Sequence, residues 1–183
     1  MKSSAEPQLG RRRFLVTVGG VCSALASWTA FPATADRSRQ VSFVHTHTGE
    51  ALRAVYFRND TYQAQSLAQV DHLLRDFRTG DVHRIDPALL DVLFELQTMA
   101  NRDAVFEVIS GYRSPATNAM LHRSSDGVAQ HSMHLEGRAI DVRLSGYSTR
   151  RLAEHARTLS RGGVGFYARS DFVHVDTGRV RFW

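Results

Sequence analysis

Two helix-period segments in immediate succession are the feature that most limits the fold of this chain. Apolar residues recur at helical spacing from Gln63 to Arg78, as in Leu67, Val70, Leu73, Leu74 and Phe77, and again from Pro87 to Ala100, where Asp86 ahead of Pro87 supplies a helix start. Strand-like runs stand on either side. Val41 to Thr46 and Ala51 to Phe57 alternate around Thr48-Gly49-Glu50 and read as a hairpin, while Val105 to Ile109, Ala139 to Leu144 and Phe172 to Asp176 read as short strands. A short helix is expected from Pro115 to Leu121 and a longer one from Thr149 to Leu159. A doubly wound sheet needs strands and helices in regular alternation, which this order does not supply. The expectation is therefore an α+β fold, a single domain with an antiparallel sheet flanked by helices. With 183 residues, 43% of them hydrophobic, the chain has material for one ordinary core.

The N-terminal stretch obeys different rules. Residues 10 to 15 read Gly-Arg-Arg-Arg-Phe-Leu, a moderately apolar run follows from Val16 to Phe31, and Pro32-Ala33-Thr34-Ala35 closes it. A basic region, an apolar region and a small-residue end in that order describe an export signal, and adjacent Arg11 and Arg12 with Phe14 and Leu15 resemble the twin-arginine type. Residues 1–35 are thus expected to be a cleaved leader, with residues 36–183 as the working domain in a periplasmic or extracytoplasmic location. Contact with a membrane is then limited to export, because Gly19, Gly20, Ser23, Ser27 and Thr29 dilute the apolar run.

Charge and cysteine content narrow the chemistry. Lys2, Arg11, Arg12 and Arg13 set against Glu6 carry +3 of the formal +5, so the remainder holds only +2. No stripe of excess positive charge stands downstream, which argues against a nucleic-acid partner. The only cysteine, Cys22, lies within the leader. The domain therefore has no thiolate for catalysis, and any metal must be held by His and carboxylate.

Such a set is present. Ser-Met-His-Leu-Glu-Gly-Arg-Ala-Ile-Asp, residues 132 to 141, puts His134 in a loop and Asp141 on the strand that follows, with Gly137 supplying backbone freedom for the chain to fold back. His174, in Asp171-Phe172-Val173-His174-Val175-Asp176, is the third candidate. Two imidazoles and one carboxylate leave a tetrahedral zinc with one open position, which is the pattern of a catalytic site. Asp171 would have to approach such a site from the entrance of the strand, since His174 shares its face with Phe172 and Asp176.

These residues resemble the zinc D-Ala-D-Ala peptidases, which are related in fold to the hedgehog signalling domain. Ser132, His134, Gly137, Ala139 and Asp141 match that family's Ser-x-His-x-x-Gly-x-Ala-x-Asp motif, Ser110-Gly111-Tyr112-Arg113 its upstream element, and Asp171-x-x-His174 its downstream acid-x-x-His element. From Gly111 to Trp183 the chain is similar to the murein endopeptidase branch. The resemblance implies one zinc ion per chain on His134, Asp141 and His174, and peptide cross-links of peptidoglycan as the substrate. It further implies Asp171 as the base that accepts the water proton, and Arg113 as the group that stabilises the oxyanion or holds a substrate carboxylate. Many members carry Glu where Asp171 stands. His131 and Ser132 are expected to contact substrate, with His131 alternatively a donor beside the metal ligands, a competing ligand or a residue without a role, and Asp176 either orients His174, rivals Asp171 or ends the strand. Competing readings are a D,D-carboxypeptidase acting on uncross-linked stems and a zinc-containing cell-wall binding module without turnover. His45 and His47 read as a solvated strand face, and His72, His83, His122 and His155 as surface residues.

Overall fold

Alternation decides the first strands: Val41, Phe43 and His45 fall on one face of β1 (Arg39–His45), and Ala54 and Tyr56 on the matching face of β2 (Ala51–Arg58). The two pair as the expected hairpin, and a short β3 (Thr61–Tyr62) extends it. A computed structural model describes residues 38–100, 104–124, 129 and 131–183. The expected leader, with Cys22, lies outside the described residues.

Helix α1 (Ala64–Leu73) stops short of Arg78, where the apolar spacing had placed its end. Leu74 leaves helical geometry while remaining buried, and the Asp76 side chain and carbonyl then take the amides of Arg78 and Gly80. The apolar period continues into a loop that is itself packed. Helix α2 (Pro87–Met99) begins where expected, with the Asp86 side chain accepting from the Ala88 amide and proline at the first turn. Then come β4 (Phe106–Ser110), α3 (Pro115–Ser124), a single 3-10 turn (Met133–Glu136), β5 (Ala139–Leu144), α4 (Thr149–Leu159), β6 (Gly163–Tyr167), β7 (Phe172–Asp176) and β8 (Arg181–Phe182). Strands β3, β6 and β8 are additions to the sequence reading.

The strands form one eight-stranded sheet in the order β3-β2-β1-β4-β5-β7-β6-β8. Pairing is antiparallel except for β1 with β4 and β6 with β8. The α+β expectation therefore holds. Ile140, Val142 and Leu144 of β5 with Val173 and Val175 of β7 join one core with Leu89, Leu90, Leu93 and Leu96 of α2 and Leu152, Ala153 and Ala156 of α4. By the two-residue period of a strand, Asp141 and His174 must then project from the opposite face. They are also direct partners across the ladder.

His45 corrects an expectation. Its ring is fully buried, at 0% exposure, because it continues the core-facing set of Val41 and Phe43. Its Nδ1 accepts from the His47 amide at 3.2 Å and its ring meets Phe77 edge-on. Among the described residues no helix is long and apolar enough to cross a membrane.

Candidate metal centre

Three separate elements bring His134, Asp141 and His174 together. Each is buried, and one potential ligand atom from each lies within 4.8 Å of the others. Asp141 and His174 come from adjacent strands in register. His134 comes from the 3-10 turn, which Ser132 caps through its hydroxyl on the His134 amide. The chain leaves that turn through Gly137 at φ +64, and a Cβ there would run into the Arg84 carbonyl, so glycine is needed for both reasons. Two hydrogen bonds tie the turn to the loop after β4: from the His134 side chain, Nδ1 to the Gly111 carbonyl at 2.7 Å, and from the backbone, the Arg113 amide to the His134 carbonyl at 3.1 Å. The Ser-Gly-Tyr-Arg element thus holds the first histidine as well as presenting Arg113.

The outer partners of the imidazoles determine what the inner atoms can do. A carbonyl only accepts, so His134 Nδ1 carries the proton and Nε2 faces inward with a lone pair. His174 Nε2 lies 3.1 Å from Asp176 Oδ2, which assigns the proton to Nε2 and turns Nδ1 inward. The inward nitrogens stand 3.2 Å apart, and Asp141 oxygens lie 2.8 Å from His174 Nδ1 and 3.4 Å from His134 Nε2. Once His174 is neutral, two lone pairs and a carboxylate converge in a buried space as a donor set suited to a divalent cation, and each histidine has the outer acceptor that metal-binding imidazoles typically use.

The charges respond accordingly. Burial opposes ionisation of Asp141, but the charge and hydrogen bonds of His134 and His174 hold its carboxyl far below the usual range. Burial also opposes protonation of His174, yet Asp141 and Asp176 raise it to about 9. Asp176, left undecided by the sequence, proves to orient His174. Its carboxylate takes the amides of Gly163 (2.9 Å) and Gly178 (2.8 Å) and the Arg181 guanidinium (2.6 Å), and these with His174 outweigh burial to hold it strongly acidic.

A cavity of about 400 Å³ opens over the cluster, lined by His134, Asp141 and His174 together with Arg113, His131, Ser132, Tyr167 and Trp183. Arg113 is buried to 11% side-chain exposure, with Nη2 3.9 Å from Asp141 Oδ2 and Nη1 3.4 Å from Asn118 Oδ1. Its Nε is buried with no hydrogen-bond partner among the described residues. Burial lowers its pKa against the pull of Asp141, but a guanidinium stays charged.

Asp171 is not brought to the cluster. It sits at φ +51 ahead of β7, its side chain 61% exposed, and its carboxylate accepts from the Thr149 hydroxyl at the start of α4 and lies 3.8 Å from Arg143. Alternation along the strand already sets residue 171 off the face that carries His174, and the left-handed backbone directs its side chain to Thr149 and Arg143 and not round the strand entrance to the cluster. Tyr167 and Trp183, by contrast, line the cavity although the sequence marked neither, since aromatic residues at strand ends carry no periodic signal.

Comparison with known proteins follows the same residues. The family model described as peptidoglycan L,D-endopeptidase MepK matches residues 33–183. The chain belongs to that family. It is 39% identical over 176 residues to the probable peptidoglycan L,D-endopeptidase MepK of Haemophilus influenzae, covering 94% of this chain and 95% of the relative. It is 38% identical over 175 residues to the peptidoglycan L,D-endopeptidase MepK of Escherichia coli K12, covering 94% and 96%. No solved structure matches. Membership agrees with the resemblance drawn from the three motifs, all of which lie inside the matched residues.

Proposed function

We propose that this chain is an exported, zinc-dependent endopeptidase that hydrolyses peptide cross-links of peptidoglycan. The observation that carries the reading is the convergence of His134 Nε2, an Asp141 oxygen and His174 Nδ1 at the base of an open cavity. The relatives' names specify an L,D bond, which favours 3-3 cross-links, where an L-centre carbonyl of one diaminopimelate is joined to the D-centre amine of the next.

Zinc bound there would polarise the scissile carbonyl and acidify its water. The protein's own groups do the rest. Gly111 and Asp176 fix the two imidazoles, so the ligand set is arranged before substrate arrives. Arg113 lines the cavity with Nη2 3.9 Å from Asp141 Oδ2, and its positive charge would favour the negative charge that accumulates on oxygen. His131 and Ser132 stand at the cavity wall, where they contact the stem peptide. With Asp171 turned outward, His131 is the imidazole lining the cavity that is not tied to the cluster, and we assign it the water proton. The leader with Arg11 and Arg12 supports export by the twin-arginine route, which delivers the domain to the cell wall.

Digestion of purified sacculi with the zinc-loaded protein tests the whole reading. The expected result is loss of 3-3 dimers and gain of tripeptide monomers; intact cross-links with zinc present would count decisively against it. Release of D-Ala from a pentapeptide with dimers untouched would move the assignment to a carboxypeptidase.

A further inference from the structure

The wall of the cavity beside His174 contains a built hydrogen-bond donor that neither the ligand set nor Arg113 accounts for. Tyr167 ends β6 and is the ladder partner of Phe172, with their rings stacked 4.5 Å apart at 16°. Trp183 follows β8 and is fastened into the sheet by its own backbone, its amide on the Val164 carbonyl and its carbonyl on the Phe166 amide, both at 3.1 Å. Its indole lies 5.3 Å from the His174 ring and passes over Gly165, the ladder partner of His174, where a Cβ would stand 2.6 Å from indole atoms. From that place the indole Nε1 donates to Tyr167 Oη at 3.0 Å.

The chemistry of this bond is directional. An indole N–H can only donate, so it occupies the acceptor side of the phenol and leaves the phenol proton to be given elsewhere. Among the described residues the Tyr167 hydroxyl proton has no acceptor, and Tyr167 lines the same cavity as Arg113 and the three converging side chains. A phenol that receives a hydrogen bond is also a better donor, since bonds in a chain polarise one another.

We infer that Tyr167 is a second donor to the oxygen of the scissile carbonyl, acting with Arg113, and that Trp183 is a positioning residue that fixes the phenol for this task. The inference rests on the hydrolytic reading of the site. It assigns catalytic work to the last strand pair of the sheet, beyond the three motifs.

The test compares the zinc-loaded wild-type protein with Tyr167→Phe, Trp183→Phe and the double variant. It measures kcat and KM on a cross-linked muropeptide, and the affinity of a phosphinate pseudopeptide, a tetrahedral mimic of the addition step. Tyr167→Phe is expected to lower kcat by ~10- to 100-fold with KM little changed, and to weaken the phosphinate by a similar factor, with zinc content unaltered. Trp183→Phe is expected to cost roughly 3- to 10-fold alone and nothing further in the Tyr167→Phe background. Phosphinate affinity within about twofold of wild type in Tyr167→Phe overturns the inference. So does an undiminished Trp183→Phe effect in the double variant, or failure of the wild type to bind the phosphinate. If the wild type binds the phosphinate through Tyr167 yet leaves cross-links intact, the substrate assignment falls and the donor role stands.

Discussion

A single backbone angle separates what Asp171 was expected to do from what it does. Two residues further on, Val173 belongs to the core, so the side chains that flank His174 in sequence are already committed to the other face of β7. Asp171 escapes that alternation only by turning left-handed, and its carboxylate then meets Thr149 and Arg143. Its replacement by Ala is accordingly expected to lower activity by less than about threefold, whereas His131→Ala should lower kcat by ~100-fold, in the range of a general base. Steady-state rates on a soluble cross-linked muropeptide at constant zinc decide between them. Loss of turnover in Asp171→Ala with turnover kept in His131→Ala would restore the aspartate as base.

At the scale of elements, the loop after α1 and the start of α3 are fastened together by one buried carboxylate. Asp76 accepts from the Ser114 amide and the Arg78 amide, both at 2.9 Å, and so holds the residue next to Arg113. Burial works against its charge, but the hydroxyls of Thr117 and Ser114 and those two amides bring its carboxyl down to about 2. A folded-state value below the ordinary 3.8 means stability that is complete above pH 3.8 and lost as pH falls through about 2. Asp76→Asn should therefore cost on the order of 2 kcal/mol at pH 7 and much less at pH 2.5, as read from urea unfolding at the two values; an equal cost at both would show that the charge is not what matters. Elements of this kind explain what the sequence could reveal. Strands β5 and β7 and helix α4 were legible to their end residues, because a buried face and a period of two or of about 3.6 coincide there. The end of α1 was not, since Leu74 and Phe77 continue the apolar spacing inside a loop fastened by Asp76. Strand β6 was hidden by Gly162-Gly163-Val164-Gly165, which has too few side chains to alternate. The converging side chains His134, Asp141 and His174 could be named from motif spacing, but the Asp176 cage and the Tyr167–Trp183 pair depend on which strand lies beside which, and no local pattern encodes that.

For the whole molecule, a metal held as proposed would compete with a proton for one place. Without metal, His174 holds its proton up to about 9, above the ordinary 6.5, so the stability this lends is present below 6.5 and fades as pH rises toward 9. Capture of a cation must expel that proton, so apparent affinity should climb with pH, by up to about tenfold per unit below 9. The gap in melting temperature between zinc-loaded and chelator-treated protein is expected to widen from pH 6 to pH 9, and a constant gap would mean that no proton leaves. The register that sets Asp141 against His174 has a further consequence, concerning time and place. Of the three candidate ligands, His174 is made 33 residues after Asp141, so a nascent polypeptide that has not reached it holds an incomplete set for an ion. If residues 1–35 act as a leader that hands over a finished fold, the ion would be selected where synthesis ends. The supply of the cytoplasm, and not that of the wall in which the protein works, would then decide which metal it carries.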